Sequence, residues 1–448
     1  MAPPRQDRLD QPTVECLTAL TAELLASRPD SAGELQRYLS VGRRGTPLPE
    51  REVAAALRGR TVVVTGGSGY IGTVLLRQIR RLCAARLVSL DIAAPRRPVA
   101  GVEYANVDVR SAGAVAEFFD RYPPDIVFHL AAQRDPGLAE RYTAYTVDTN
   151  VLGTFHVANA AERAGAGRFV YASTGKALRP YSRCVYTESK RLGEWLVADV
   201  ARRGRMACTG GRFTHVVDNS IVLDRMRRWR DEGGPIRLHS PDMVFYVQSA
   251  VESAQLLLAA LLSPADGGLR MHAIRDLGWP VNLLDLALGF VAGSDRITPL
   301  YLAGCDPGYE EVPYPGLYDP TFSGDVSPLL NAMEAHRARP STCSGVDDVA
   351  VTAHEAPEVV ERLPELRRWC EIGSERQVRR VLDELGRDLM TLSLRTTSPA
   401  ILDRVARLTE SHRGTMNEEH RQIDDVVRHY AGRTPAPAAA ETGAAAAA

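Results

Sequence analysis

The sequence predicts an α/β fold: a doubly wound parallel sheet with a smaller second subdomain and added helices at both termini. Three observations carry that expectation. Strand-like apolar runs alternate with helical patterns between Arg60 and Gly204. The first run, Thr61–Thr65, opens straight into a glycine-rich turn and an apolar helix. Both flanks show helical rather than strand periodicity. The 448 residues suffice for two or three units of roughly 100–200 residues each. We expect a helical extension over 1–58, a sheet core over 59–204, and a second subdomain with returning core elements over 205–331. A helical extension over 332–433 and a disordered tail over 434–448 complete the chain.

Each element has its own local reason. Leu17, Leu20 and Leu24 recur at three- and four-residue steps and give the first helix one apolar stripe. Arg43-Arg44-Gly45-Thr46-Pro47 breaks that pattern before a short helix around Glu50–Leu57. Strands are expected at Thr61–Thr65, 87–90, 126–130 and 169–172, with helices at 71–82 and 151–163 between them. Beyond Gly204, turns at Gly233-Gly234-Pro235, Ser240-Pro241-Asp242 and Gly267-Gly268 interrupt the rhythm. Residues 305–320, rich in Pro, Gly and Tyr, read as ordered loop. Val378, Leu382, Leu385, Leu389 and Leu392 mark one face of a later helix, and another spans Glu418–Tyr430. The Pro/Ala-rich end, from Thr434, buries too little to order itself.

Composition narrows the class of partner. The formal net charge is −1, so no global field favours nucleic acid or an anionic membrane. No apolar run approaches the ~20 residues of a membrane span, and Met1-Ala2-Pro3-Pro4-Arg5 opens no signal-peptide core. Seven scattered cysteines without a C-x-x-C predict reduced thiols in a cytoplasmic protein. The histidines lack zinc-ligand spacing, so no metal is expected; His420 and His429 read as exposed positions on a polar helix.

The strand Thr61–Thr65 runs into Gly66-Gly67-Ser68-Gly69-Tyr70-Ile71-Gly72. Gly66, Gly69 and Gly72 permit a tight turn, close approach of backbone to a pyrophosphate and close packing of helix on strand. This is the fingerprint of a Rossmann-type dinucleotide site. Asp91 ends the second strand about twenty residues on, where a carboxylate accepts hydrogen bonds from ribose hydroxyls and favours NAD. Arg96 and Arg97 follow and would suit a 2′-phosphate, so NADP stays possible. Asp108, expected to end the third strand, is placed to accept from the adenine amino group.

Only two lysines occur, Lys176 and Lys190; the other 52 Lys/Arg residues are arginine. Arginine stays protonated, whereas a lysine pKa moves readily with burial and neighbouring charge. Lys190 lies four residues after Tyr186 on a predicted helix, so both project from one face. A phenol with a pKa of about 10 becomes a usable base when an ammonium favours its ionised form. Tyr186 would take a substrate hydroxyl proton beside the nicotinamide, Lys190 would lower its pKa and fix the nicotinamide ribose, and Thr174 would hydrogen-bond the alcohol oxygen; Tyr186 and Lys190 thus also count as cofactor contacts.

At this point the residues resemble a known family. Thr65 to Gly72, His129-Leu130-Ala131-Ala132, Asn150-Val151-Leu152-Gly153-Thr154 and Tyr186-x-x-x-Lys190 are similar to the extended short-chain dehydrogenase/reductase superfamily. Ser173-Thr174-Gly175-Lys176-Ala177-Leu178-Arg179-Pro180, Gly233-Gly234-Pro235 and Pro241-Asp242-Met243 resemble its polysaccharide-biosynthesis branch. That branch is typified by UDP-N-acetylglucosamine 4,6-dehydratases and related epimerases. The resemblance covers roughly residues 45–320. It implies a nucleoside-diphosphate sugar substrate and transient oxidation at C4 of the sugar. It also implies cofactor contacts from Tyr70 and Ile71 in the loop, Val109 after the third strand, and Leu130, Ala131 and Ala132 after the fourth. Ser173, Arg212 and His215 are the implied substrate contacts, and Lys176 the implied base beside the new ketone; Arg134, after the fourth strand where such sheets bind ligands, either orients substrate or makes a surface salt bridge.

The departures from that pattern bear on the reaction. Gly175 stands where the branch has an aspartate that helps hydroxide leave. A chain with the base but without that acid can still lose and regain a proton beside a ketone, which is epimerisation. Glu188 and Asp135 are the nearby candidate acids. His215 replaces an asparagine, and Asp306-Pro307-Gly308-Tyr309-Glu310 lacks the usual phosphate-binding arginine, leaving Arg212, Arg225 or Arg237 as substitutes. The expected function is an NAD-dependent nucleotide-sugar epimerase/dehydratase, with epimerisation ahead. The alternatives are a dehydratase with a relocated acid, acting on a sugar nucleotide or a nucleoside, and a non-catalytic dinucleotide sensor or scaffold. The apolar stripes of the extensions predict packing on the core or a homo-oligomer interface.

Overall fold

The computed structural model describes residues 9–83, 85–264, 267–309, 312–319, 324, 326–351 and 356–432. Its centre is a nine-stranded sheet. In chain order the first strands are β1 (Thr61–Thr65), β2 (Arg86–Asp91), β3 (Val102–Asn106), β4 (Ile126–His129), β5 (Arg168–Thr174) and β6 (Ala207–Phe213). Spatially they run β3-β2-β1-β4-β5-β6, all parallel, and Leu269–Ile274 continues the parallel run beside β6. Val62, Val63 and Val64 are fully buried, as a strand covered on both faces requires. The order reverses between β1 and β4, and in such sheets ligands bind in the crevice beyond the carboxyl ends of the strands at that point.

The expected strands and helices are present with ends shifted by a residue or two. Helix Tyr70–Leu82 follows β1, and a π turn, Asp148–Leu152, precedes helix Gly153–Arg163. Asp108 lies two residues beyond β3 rather than at its end. Among the described parts of 303–319 there is no regular element. The expected disordered tail lies outside the described residues.

One boundary is corrected. The stretch from 332 is not helical throughout, because Val346–Val351 pairs antiparallel with Leu269–Ile274, and Arg339–Pro340 adds a further edge strand. Asp347 and Asp348 are buried in that strand, where Arg275 and Arg270 neutralise them. A second expectation is also corrected: His420 is buried, with Nε2 3.0 Å from the Val312 carbonyl.

Both extensions pack into the body. Val53 and Leu57 of Glu50–Leu57 join the main core, and Tyr38 and Val41 join a second core with Leu223, Ile236 and Leu286. Arg44, in the expected break, donates to Glu252 and to the carbonyls of Val247 and Leu277. Helix Glu375–Arg395 buries Val378, Leu382, Leu385 and Leu389 against Val151, Val185, Leu192 and Leu196. Among the described residues no helix is long and apolar enough to cross a membrane.

Candidate active site

The glycine turn is shaped by what its missing side chains would hit. Gly66 has φ +70°, and a Cβ there would sit 2.7 Å from the Ala131 nitrogen. A Cβ on Gly72 would lie 2.4 Å from the Gly66 carbonyl. Gly67, which the sequence reading passed over, is equally constrained: its Cβ would meet Ser89 Oγ at 2.3 Å. Gly69 is more open, with only the Gly66 carbonyl near, at 3.1 Å. No side chain caps the helix that begins at Tyr70 and Ile71, and Ser68 Oγ is buried without a hydrogen-bond partner. Unclaimed N–H groups at a helix start beside an orphaned hydroxyl and an open glycine fit an anionic pyrophosphate.

Asp91 accepts from Ser68 N–H and Ala93 N–H, each at 3.0 Å, so it holds the turn and keeps a lone pair on each oxygen to spare. Arg96 and Arg97 are exposed just beyond it. Asp108 pairs with Arg110 at 2.6 Å; burial raises its pKa, but the arginine's hydrogen bonds and charge bring it below the ordinary carboxylate value. Val109 is buried, and its carbonyl accepts from His156 Nδ1 at 3.1 Å.

A buried relay ties the wall after β4 to the rest of the site. Thr65 Oγ1 lies 2.7 Å from His129 Nδ1 and accepts the N–H groups of Leu130 and Ala131. His129 Nε2 is 3.0 Å from Thr154 Oγ1, which donates to the Asn150 carbonyl. Burial first, then the charge of Lys190, holds His129 down to about 3, so it is a neutral strut. The Asn150 amide clamps Gln133 through both backbone groups and reaches Ser189 on the next helix at 3.1 Å. Ala132 lies half-buried in the same wall.

Helix Val185–Arg203 carries Tyr186 and Lys190 one turn apart, so both lie along one face. Tyr186 is half-buried. Lys190 is buried, donates to the Ala172 carbonyl at 2.8 Å and lies 4.2 Å from the Tyr171 ring centre. Burial lowers its ammonium to about 7, with Glu194 pulling the other way. Thr174 ends β5, and its hydroxyl accepts the Lys176 N–H at 3.3 Å, closing the short turn Gly175–Leu178. Lys176 is half-buried in that turn. Ser173 donates instead to Glu194, at 2.6 Å.

Arg212 departs from expectation. It is fully buried, and its five N–H groups go to Glu194, Glu334 and the Leu329 carbonyl. With every donor used, it is a structural cation rather than a diphosphate clamp. Glu188 faces away from Tyr186, bonded to Arg191 and the Ser182 N–H. Asp135 caps helix Pro136–Arg141 and accepts from the Tyr309 hydroxyl at 3.1 Å. Arg225 stands beside that pair, 3.2 Å from the same hydroxyl. Arg134 is exposed after β4, and its charge together with that of Lys176 acts on His215. At Gly175, a Cβ would collide with Leu329 Cδ2 at 2.6 Å, so a larger side chain there would have to displace that leucine. Sequence reasoning gave Glu194 and Asn150 no role; the position of Glu194 one helical turn after Lys190 was the available signal.

The polysaccharide biosynthesis protein family matches residues 62–299, just over half of the chain. The probable polysaccharide biosynthesis protein EpsC of Bacillus subtilis is 28% identical over 293 residues, 61% of this chain and 48% of that protein. The capsular polysaccharide biosynthesis protein CapD of Staphylococcus aureus is 26% identical over 292 residues, with coverage of 61% and 48%. The match thus spans about half the length of these curated relatives. The solved structure of Pen from Bacillus thuringiensis shares the fold, with a TM-score of 0.54 at 18% identity over 67% of this chain and 89% of that one.

Proposed function

Since the chain belongs to the polysaccharide biosynthesis protein family, within the extended short-chain dehydrogenase/reductase superfamily, we propose that it is an NAD-dependent nucleotide-sugar epimerase. The observation that supports this most is one constellation. A lysine with a movable pKa is buried one helical turn from Tyr186, beside the strand end that carries Thr174. Gly66, Gly69, Tyr70, Ile71 and Gly72 would hold the pyrophosphate, Asp91 the ribose, Asp108 and Val109 the adenine end, and Leu130, Ala131 and Ala132 the far wall. Asp91 favours NAD; Arg96 and Arg97 are the side chains that would hold NADP. Bound there, the nicotinamide supplies the acceptor for the hydride lost from C4 of the sugar and its donor on return, so no external reductant is consumed.

The chain's own residues do the rest. Tyr186 takes the proton of the C4 hydroxyl, its phenolate favoured by the Lys190 ammonium. Thr174 donates a hydrogen bond to that oxygen. Lys176, in its neutral form, takes the proton from the carbon beside the new ketone; a water reaching the opposite face returns a proton there and inverts the centre, and the lysine's proton passes to solvent. Net dehydration needs an acid for the leaving hydroxide. Gly175 supplies none, a larger side chain there would have to displace Leu329, Asp135 is committed to Tyr309 and a helix cap, and Glu188 faces away. Epimerisation is therefore the favoured outcome. Cytoplasmic location and homo-oligomeric assembly belong to the same proposal.

The test is to incubate the full chain with NAD and a set of nucleoside-diphosphate sugars. We expect transient reduced-nicotinamide absorbance and a product of unchanged mass. A product lighter by one water makes the reaction a dehydration, and silence with every sugar favours a dinucleotide sensor. Tyr186→Phe should slow turnover about 10²–10⁴-fold; a variant at full speed overturns the assignment of the base.

A further inference from the structure

His215 lies two residues past Phe213, which is paired in register with Thr174. It therefore stands at the same carboxyl edge of the sheet as Thr174 and Lys176. The turn that carries Lys176 packs there too, since a Cβ on Gly175 would be 3.6 Å from the Phe213 carbonyl. On its other side, His215 Nε2 is 2.9 Å from the Tyr38 hydroxyl and 3.1 Å from Ser220 Oγ. Tyr38 donates to Ser220 Oγ at 2.8 Å, and the same oxygen accepts the Leu223 N–H at 3.1 Å as the cap of helix Ile221–Asp231. Phe245 packs on the imidazole with ring centres 5.1 Å apart. Tyr38 is fully buried and belongs to a segment ahead of the family-matched residues 62–299.

Donor counting selects the tautomer. Ser220 Oγ accepts two hydrogen bonds, which uses both its lone pairs. Its own proton needs an acceptor, and His215 Nε2 is the one within reach among the described residues. The hydroxyl protons can also turn the other way, Tyr38 donating to Nε2 at 2.9 Å and Ser220 donating to Tyr38, and in either arrangement Nε2 is the acceptor. Nε2 therefore accepts, and the ring proton sits on Nδ1. Burial, with the charges of Arg134 and Lys176, holds His215 down to about 4, so the ring is neutral near pH 7.

We propose that Tyr38 is a positioning residue: acting through Ser220, it fixes His215 as a neutral Nδ1–H donor, so that the crevice selects a ligand with a hydrogen-bond acceptor oxygen at that point. The tautomer stands on the protein alone. The ligand preference rests on the reading of the crevice as a sugar-nucleotide site, and its acceptor is either a phosphoryl oxygen or an oxygen on the sugar. An asparagine here would offer both donor and acceptor; the imidazole held this way offers only a donor.

The experiment has two parts, both on the full chain. Long-range proton–nitrogen spectra of isotope-labelled histidine report which ring nitrogen is protonated, with the His215 signals identified by their loss in His215→Asn. We expect protonated Nδ1 and bare Nε2 in the wild type, and a tautomer mixture in Tyr38→Phe, which keeps the ring packing. A merely structural role for Tyr38 would lower the melting temperature and leave the tautomer unchanged. Protonated Nε2 in the wild type, or the same tautomer in Tyr38→Phe, overturns the proposal. Calorimetric titration with UDP, UDP-glucose and UDP-N-acetylglucosamine gives the second part. Apparent affinity in Tyr38→Phe falls by the reciprocal of the remaining Nδ1–H fraction, roughly twofold for an even mixture. A loss already seen with UDP assigns the acceptor to a phosphoryl oxygen; a loss confined to the sugar nucleotides assigns it to the sugar. Equal affinities for all three in wild type and variant overturn the donor role. No binding of any of the three by the wild type overturns the ligand preference together with the sugar-nucleotide reading, and leaves the spectra to decide the tautomer separately.

Discussion

The guanidinium of Arg212 is shared between Glu194 and Glu334, with contacts of 2.7 to 3.0 Å to the four carboxylate oxygens. Removing one partner of a buried ion network leaves charge that nothing compensates. Arg212→Met should therefore cost about 3–5 kcal/mol of stability, read as a fall in the urea unfolding midpoint. A variant that unfolds at the wild-type midpoint and only binds nucleotide more weakly would return Arg212 to the substrate site. Its role was hidden in the sequence because Glu334 is 122 residues away. Gly66, Gly72, Tyr186 and Lys190 were legible because their constraints are local: a turn with φ +70°, a helix start, a spacing of one helical turn. Gly67 was missed because Ser89, the residue that excludes a side chain there, sits on the neighbouring strand.

Helix Val185–Arg203 has two working faces. Lys190 reaches the sheet at the Ala172 carbonyl, while Glu188 and Arg191 look toward helix Glu375–Arg395, where Arg191 donates to the Gly386 carbonyl at 2.7 Å. The loop before Tyr186 is braced from the same side, by the Tyr181–Asp383 hydrogen bond and by Glu419 on the Arg183 N–H at 2.7 Å. A Cβ on Gly386 would lie 2.6 Å from Glu188 Oε1, so Gly386→Ala must push the carboxylate from its place. We expect the displaced Glu188 network to outweigh the ~1 kcal/mol that alanine gains over glycine inside a helix, for a net loss of about 1 kcal/mol in chemical unfolding. Unchanged unfolding would mean that Glu188 swings aside and the two helices are only loosely joined. The apolar stripe of the later helix was readable from periodicity, but its partner was not, since a stripe does not say what it covers. The edge strand Val346–Val351 was unreadable for a related reason: Asp347 and Asp348 look like loop residues until Arg275 and Arg270 are brought beside them.

Across the whole molecule, the two extensions complete the cores on which the sheet rests, and the alternation of strand and helix that forecast the sheet gave no sign of this. Arg44 reaches Glu252, a partner 208 residues away, across what read as a break between two outlying helices. The same close burial makes the fold sensitive to acid. His129, His215 and His272 are held by burial at about 3, about 4 and about 4, each neutral inside the protein. In the unfolded chain each titrates near 6.5. As pH falls below that value the unfolded state binds protons that the folded state refuses, so stability is lost from about 6.5 downward and the loss is complete only near 3 to 4. By pH 5 each ring costs about 2 kcal/mol. Asp148, which burial raises to about 6, and Glu188, also raised by burial, act in the opposite direction, because a folded carboxyl that takes up protons more readily gains stability in acid. Asp148 is only partly buried, so these two offset part of the loss from the three imidazoles, of which His129 and His272 are enclosed and His215 only partly buried. The urea unfolding midpoint should therefore fall clearly between pH 7 and pH 5; a midpoint that stays level over that interval would mean that the rings are already protonated inside the fold, and that the neutral strut at His129 and the neutral donor at His215 are both misassigned.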